Sequence, residues 1–482
     1  MDTITVEYID DVNLRVVCDA GIAQEVSDYF TFFVPGYKFM PKFKCGMWDG
    51  KIRLFNPYNA LLYAGLLPKL AKFCFERKYM LVIPPQFRDT PFNMDDALAF
   101  VQKLNPTLTP HEHQMNAFIK AVQKRRSLLL SPTASGKSFI IYLLIRYFAV
   151  PTLVVVPTTS LVNQMYGDFE EYGFDSERHV HKIYSGHDKN TDKPVVVTTW
   201  QSVYQLPKTW FNRFKLVIGD EAHGFKAKSL TTLMTKLTDC PYRVGLTGTL
   251  DGTETNKLVL EGLFGQVHKV ITTKELMDQG VIAKLQVEAI VLKHPDEMCK
   301  MAAANGAYDD ELNYIVTSEA RNKFIRNLAM SLKGNTLILF QFVEKHGEPL
   351  AKLIQETTTR PVYFVSGKVD ADAREVIRKI LETETDAIAV CSSGTFSTGI
   401  NIKNLHNVVF SSPSKARIKV LQSIGRGLRK STTKLNMTLY DIADDLSWKS
   451  KQNHTLRHFV ERIKIYAEEQ FEYRIHKVNL NV

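Results

Sequence analysis

Between residues 111 and about 270, short runs that are apolar at almost every position (SLLLSP, TLVVVP, PVVVTT, LVIGDE, RVGLTGT) alternate with stretches in which apolar side chains recur at helical spacing. A run without polar alternation is a strand buried on both faces, and the helical stretch after it is the crossover that returns the chain parallel to the previous strand. The rhythm predicts a parallel sheet flanked by helices. A second series, TLILFQF, PVYFVSG, AIAVCSS, NVVFSSP and MTLYDIA, begins after about residue 280. It predicts a second α/β unit in tandem with the first. The longest apolar stretch, Phe139 to Pro157, contains Arg146 and is broken at Pro151, so it reads as a helix followed by a buried strand and excludes a membrane span.

The pattern before residue 111 is different. Lys42 to Phe55 alternates around Asp49-Gly50, which predicts a β-hairpin. Pro84 to Pro110, rich in proline and polar residues, reads as the connection out of a small α+β domain. At the far end, Leu456, Phe459, Val460, Ile463 and Ala467 keep helical spacing within His454 to Phe471. That spacing predicts a helix packed back on the second unit, with a helix lying along a polyanion as the alternative. The expected division is 1–95, 96–275 and 276–482, in keeping with about three domains for 482 residues.

Charge sharpens this division. Lys plus Arg outnumber Asp plus Glu by 61 to 51, a net charge of +10, and the excess is not spread evenly. Residues 1–30 carry a net −6, residues 35–88 a net +8 with aromatic side chains threaded through, and residues 413–482 a net +7. Basic side chains interleaved with aromatics suit phosphates and stacked bases, which makes Lys42, Lys44, Lys51 and Arg53 candidate nucleic-acid contacts; a merely solvated face is the alternative. The six cysteines, at 18, 45, 74, 240, 299 and 391, form no Cys-x-x-Cys pair, so neither a metal cage nor a disulfide framework is expected, and a reducing cytoplasm is. The N-terminus, MDTITVEYIDD, lacks the basic-then-apolar layout of a signal peptide.

The strongest chemical signal is Ser131-Pro-Thr-Ala-Ser-Gly136-Lys137-Ser138, which leaves the strand SLLL and enters the helix FIIYLLIRYF. In that context the backbone amides of Thr133, Ala134, Ser135 and Gly136 wrap phosphates, Lys137 reaches the β- and γ-oxygens, and Ser138 offers a hydroxyl to Mg²⁺. The first position is Ser rather than the Gly of the usual pattern. About eighty residues on, LVIG runs into Asp220-Glu-Ala-His223. A strand-end carboxylate beside a phosphate loop can hold the metal, and its neighbour can orient or deprotonate the attacking water; Asp220 takes the first role and Glu221 the second. In Gln422-x-x-Gly-Arg426-x-x-Arg429 the two arginines lie three apart, so on a helix they share a face and can point at a γ-phosphate.

Together, PTASGKS and DEAH resemble the superfamily-two DEAH-type helicases and translocases, and further motifs of that family follow in order. His113-Gln114 resembles the Gln motif, which implies that Gln114 reads the adenine edge. Pro157-Thr-Thr-Ser-Leu-Val-Asn-Gln164, Thr198-Thr-Trp-Gln-Ser202 and Ser366-Gly367 resemble the motifs that touch the nucleic-acid backbone, implicating Thr158, Thr198, Gln201 and Ser366. Thr247-Gly-Thr249 resembles the coupling motif, with His223 and Gln422 joining Thr247 and Thr249 in that role, and Ser392–Gly399 adds Gly399 to the nucleotide site. The resemblance implies two tandem RecA-like parallel-sheet domains preceded by a small α+β nucleic-acid-binding domain, using ATP and Mg²⁺. More narrowly, FxPGYKFMPKFKCGMWDGKIRLF, SGTFSTGINIKNL and IGRGLRK resemble the recombination and branch-migration helicases of T4-like phages. That implies a monomeric motor in the host-cell cytoplasm acting on branched, duplex and single-stranded DNA (Holliday junctions, stalled forks and R-loops with their RNA–DNA hybrid). No motif separates DNA from RNA, so an RNA helicase stays open, as does a binding or annealing protein gated by ATP.

Overall fold

The computed structural model describes residues 2–184, 186–250, 253–367, 371–394, 404–413, 424–425, 428 and 436–480. It divides into two compact units, the first of Met1–Ser131 and Ser135–Ile271 and the second of Pro132–Ala134 and Thr272–Val482.

The first unit opens with a mixed sheet. Strands β1 (Thr3–Tyr8) and β2 (Asn13–Val17) pair antiparallel. The next two, β3 (Thr31–Phe33) and β4 (Lys51–Arg53), form a separate ribbon. With β5 (Phe55–Asn56), β6 (Leu61–Tyr63) and β7 (Met80–Val82) the main sheet has the order β5-β6-β2-β1-β7. Period-two burial points Ile4, Val6, Leu14 and Val16 to one side, where Val26 of the helix Ala20–Tyr29, Phe30 just after it and Phe73 of the helix Leu67–Arg77 cover them. This small domain is fastened to the rest of its unit. Asp11 and Arg126 form an ion pair at 3.2 Å, both largely buried, and the amide of Asp11 donates to Thr238 O. At Gly65 a β-carbon would stand 2.1 Å from the carbonyl oxygen of Glu261, so only glycine permits the backbones to approach this closely.

The expected hairpin over Lys42–Phe55 is not what forms. The partner of β4 is β3, with Phe32 opposite Ile52, and residues 34–50 make the connection. Pro41 starts a short helix, Pro41–Lys44, so Lys42 and Lys44 lie on a helical turn and not on a strand. Tyr37 packs between Phe33 (4.7 Å, stacked) and Phe43 (4.8 Å, edge-on). That aromatic contact, together with proline at the helix start, outweighs the local turn preference of Asp49-Gly50.

The rest of the first unit is a seven-stranded parallel sheet. Its strands are β8 (Arg126–Leu130), β9 (Thr152–Val156), β10 (Val180–Ile183), β11 (Val195–Thr199), β12 (Leu216–Gly219), β13 (Tyr242–Thr247) and β14 (Val267–Lys269), ordered β10-β11-β9-β12-β13-β8-β14. Every residue of β9, β11 and β12 is buried, as their unbroken apolar runs require. Alternate residues feed two cores: Val154 and Ile218 pack with Ile140 and Leu144 on one face, Leu153 and Val217 with Phe211 and Phe264 on the other.

The second unit repeats the plan with β15 (Lys284–Lys293), β16 (Thr336–Phe340), β17 (Val362–Val365), β18 (Ile388–Ser392), β19 (Asn407–Phe410), β20 (Asn436–Asp445) and β21 (Glu472–Asn479). All are parallel, in the order β17-β18-β16-β19-β20-β15-β21. The helix His454–Glu468 packs on this unit, burying Phe459, Ile465 and Tyr466, whereas Val460 and Ala467, expected on its packed face, are exposed. Among the described residues no helix is long and apolar enough to cross a membrane.

Candidate functional site

The phosphate loop leaves β8 at Ser131 and enters the helix Lys137–Phe148 through Gly136, whose φ of +77° lies in the left-handed region, as does that of Ala134 at +68°. A β-carbon at position 136 would come within 2.1 Å of Gln114 Nε2, so glycine is required on both counts. The loop is held from beneath. Ser131 Oγ and Ser135 Oγ lie 2.6 Å apart, and the Ser135 carbonyl receives Gln114 Nε2 at 3.1 Å and His113 Nε2 at 2.9 Å. Gln114 Oε1 in turn accepts from the amide of His111. Both ends of the Gln114 amide are thus engaged, one of them on the loop. The helix that follows buries Phe139 through Ile145, which fixes its N-terminal amides toward the loop, a setting for anions.

Lys137 Nζ lies 3.5 Å from Ser131 O and 3.8 Å from Glu221 Oε1. Asp220 follows β12; its amide donates to Val155 O and its Oδ1 accepts from the amide of Glu221 at 2.9 Å. Burial, and then the adjacent Glu221 carboxylate, push the Asp220 carboxyl up to about 6, against the opposing pull of Lys137 and His223. Glu221 itself has φ +49°. A left-handed glutamate is strained by roughly 1–3 kcal/mol, and here that conformation turns its carboxylate toward both Lys137 and His223. His223 Nδ1 is 3.4 Å from Glu221 Oε2 and 3.0 Å from Thr247 Oγ1. Because the Thr247 hydroxyl donates to Thr249 O (3.0 Å), it is His223 Nδ1 that donates to Thr247. The Thr247 carbonyl receives the amide of Ser131. Lys137, Glu221, His223, Thr247 and Thr249 therefore form one continuous polar chain that starts and ends at the phosphate loop.

A divalent cation suits this donor set. Asp220 is a buried carboxylate with no guanidinium partner among the contacts described, and Ser138 presents a hydroxyl on the first turn of the helix. Among the described residues no cluster of three or more His, Cys, Asp or Glu could cage an ion unaided, so such an ion would depend on phosphate oxygens as well.

The other expected residues fall into four groups. Thr158 caps the helix Thr159–Glu171 through Leu161 N (3.4 Å), and Gln201 is exposed. Thr198 and Ser366, by contrast, are enclosed. The Thr198 hydroxyl is turned to Ile183 O (2.9 Å) and Thr199 O (3.0 Å), and Ser366 is only 2% exposed after β17. Both side chains are buried in this structure, Thr198 within β11 and Ser366 just after β17. Gly399, Gln422, Arg426 and Arg429 lie outside the described residues. Around β4, Lys42 and Lys44 are exposed, Arg53 binds Asp49 at 2.5 Å, and Lys51 lies over the Phe33 ring at 5.0 Å. One contact had no counterpart in the sequence reading: Ser138 Oγ is 2.8 Å from Tyr172 Oη.

A parallel-sheet unit with a phosphate loop joined to Asp-Glu-Ala-His and Thr-Gly-Thr, followed by a second parallel-sheet unit, defines a superfamily-two nucleic-acid motor. Residues 3–84 match the family model "DNA helicase UvsW, N-terminal", 107–252 "Type III restriction enzyme, res subunit" and 319–431 "Helicase conserved C-terminal domain". The ATP-dependent DNA helicase uvsW of Enterobacteria phage T4 is 36% identical over 99% of this chain and 100% of its own length. The DNA 3'-5' translocase XPB2 of Sulfurisphaera tokodaii is 23% identical over 83% and 93%. The crystal structure of T4 UvsW superposes with a TM-score of 0.53 at 34% identity, covering 99% and 100%. The chain belongs to the UvsW family of superfamily-two helicases.

Proposed function

We propose that this protein is an ATP-dependent DNA helicase and translocase that unwinds or branch-migrates branched DNA, namely Holliday junctions, stalled forks and R-loops, in phage recombination and repair. The reading rests on one observation above the rest, the polar chain from Lys137 through Glu221 and His223 to Thr247 and Thr249. A protein that merely binds nucleic acid has no use for a water-activating carboxylate tied to a phosphate loop.

In this reading the loop amides and the Lys137 ammonium hold the β- and γ-phosphates of ATP, and Gln114 keeps the loop in shape from its adenine side. Ser138 and Asp220 would hold Mg²⁺, which when bound neutralises charge on the phosphates. Glu221 takes the proton of the attacking water, and His223 conveys the change to Thr247 and Thr249. Arg426 and Arg429 supply positive charge to the γ-phosphate, alongside Gln422 and Gly399. The nucleic-acid contacts are assigned to Thr158, Gln201 and the Lys42, Lys44, Lys51 and Arg53 cluster. The parts are a nucleic-acid-binding domain over 1–95, an ATP-binding RecA-like domain over 96–275 and a second over 276–482, working as a monomer in the host-cell cytoplasm.

The test is a panel of ATPase and unwinding assays on duplex, fork, Holliday junction, R-loop and RNA substrates. The expected result is turnover stimulated most by branched DNA, abolished by Lys137→Ala with DNA binding retained. Unwinding that survives Lys137→Ala, or stimulation by RNA alone, would overturn it.

A further inference from the structure

Tyr172 stands 34 positions from Ser138 in the sequence, yet its hydroxyl is hydrogen-bonded to the Ser138 hydroxyl at 2.8 Å. The contact is built, not incidental. Tyr172 is 7% exposed, and its ring is seated edge-on against Phe139 at 4.9 Å and beside Tyr142 at 5.5 Å, two residues of the helix that carries Ser138 in its first turn. Its backbone N–H donates to Asp168 O at the end of the helix Thr159–Glu171. The ring therefore has packing on the same helix whose first turn its hydroxyl touches.

A serine hydroxyl has one proton and two lone pairs. To offer a lone pair to a cation, Ser138 must turn its proton away from that cation, and a phenol oxygen fixed at hydrogen-bond distance can receive it as a hydrogen bond. Outer partners of this kind orient a metal ligand and raise its affinity for the ion, typically by about 10- to 100-fold. The mutual bond can run in either direction in the absence of ligands; a cation takes one Ser138 lone pair and repels the Ser138 proton, which favours Ser138 donating and Tyr172 accepting.

We infer that Tyr172 is a positioning residue for the metal-binding hydroxyl: its phenol oxygen accepts the Ser138 proton and so directs the Ser138 lone pair at the divalent cation bound with nucleotide. This rests on the reading of Ser138 as a metal residue. The experiment measures the Mg²⁺ concentration that half-saturates the Mg²⁺-dependent gain in affinity for a fluorescent ADP analogue, with the full-length chain and no turnover. Tyr172→Phe removes one oxygen and keeps the ring in its packing. It is expected to raise that midpoint about 10-fold, leaving nucleotide affinity in EDTA and the melting temperature close to native. Ser138→Ala is expected to raise the midpoint at least as much, and the double variant no further than Ser138→Ala alone, since each acts through the same atom. A midpoint unchanged by Tyr172→Phe but raised by Ser138→Ala overturns the role of Tyr172 and leaves Ser138 in place. A midpoint unchanged by both overturns the metal assignment of Ser138 and the inference with it.

Discussion

Each of the two seven-stranded sheets brings aspartates into a buried setting, and the surroundings differ in kind. In the second unit Asp441, on β20, receives the Arg462 guanidinium at both carboxylate oxygens (2.8 Å each) and the Tyr466 hydroxyl at 2.9 Å. Asp444, on the same strand, receives Arg321 at 2.8 Å and His294 at 2.9 Å. In the first unit Asp220 has an adjacent carboxylate instead, and a backbone amide as its nearest donor. Burial alone would raise both Asp220 and Asp444. At Asp444 the charges of Arg321 and His294 outweigh it and hold the carboxyl below its ordinary range, whereas at Asp220 nothing does. An acid matched by a guanidinium serves architecture; an acid left unmatched and beside a second acid, as Asp220 is, suits the cation-holding role proposed for it.

This difference can be broken from either side. The largest expected effect is on turnover: Glu221→Gln should lower kcat by about 10²–10⁴ while the chain stays folded, as single-turnover and steady-state ATPase rates would register. The counterpart in the second unit is a loss of stability. Arg462→Ala leaves Asp441 buried without its guanidinium and should cost about 3–5 kcal/mol, read from urea unfolding.

The pH dependence should carry opposite signs in the two units. A carboxyl whose folded pKa is raised binds its proton more tightly when folded, so the Asp220 contribution to the ligand-free protein weakens as pH rises from about 4 to about 6. Asp444, held low, contributes fully above its unfolded value near 3.8 and loses that contribution as pH falls below it. Asp220→Asn should accordingly raise the melting temperature at pH 7 and change it little at pH 4, and Asp444→Asn should lower it at pH 7 by an amount that shrinks in acid. A melting-temperature series against pH checks both. The smallest effect concerns nucleic-acid affinity. Each duplex phosphate contact removed should reduce the slope of log affinity against log salt by about 0.9. Because Arg53 is engaged with Asp49 and Lys42 and Lys44 are exposed, Lys42→Ala and Lys44→Ala should move that slope more than Arg53→Ala. Equal slopes for all variants would return these residues to a solvated surface.

Much of the motor was legible because its signals are local. A phosphate loop announces itself through a strand, a run of small residues and a helix, and Asp220 through the apolar run that delivers it. What escaped was set by distance. The β3–β4 pairing spans a connection whose aromatic packing no turn rule describes. Strand β21 carries a polar sequence, EYRIHKVN, that looks unlike a strand until β15 supplies its partner. Thr198 and Ser366 sit in motifs that do not say which side chains are buried. Tyr172 could not be read at all, since only the length of the helix Thr159–Glu171 decides what its last turn meets.

That helix has a further consequence. Thirteen residues at 1.5 Å each make a rod about 20 Å long, buried along Val162, Met165 and Phe169, with a hydroxyl at either end: Thr158, in the motif assigned to the strand backbone, and Tyr172, against Ser138. Each terminal hydroxyl can be deleted by a small substitution that leaves the rod and its buried face intact. On the proposed roles of Thr158 and Ser138, communication between strand and nucleotide is open to retuning in inheritance by a nudge at either tip, with the body of the lever left under its original selection for packing.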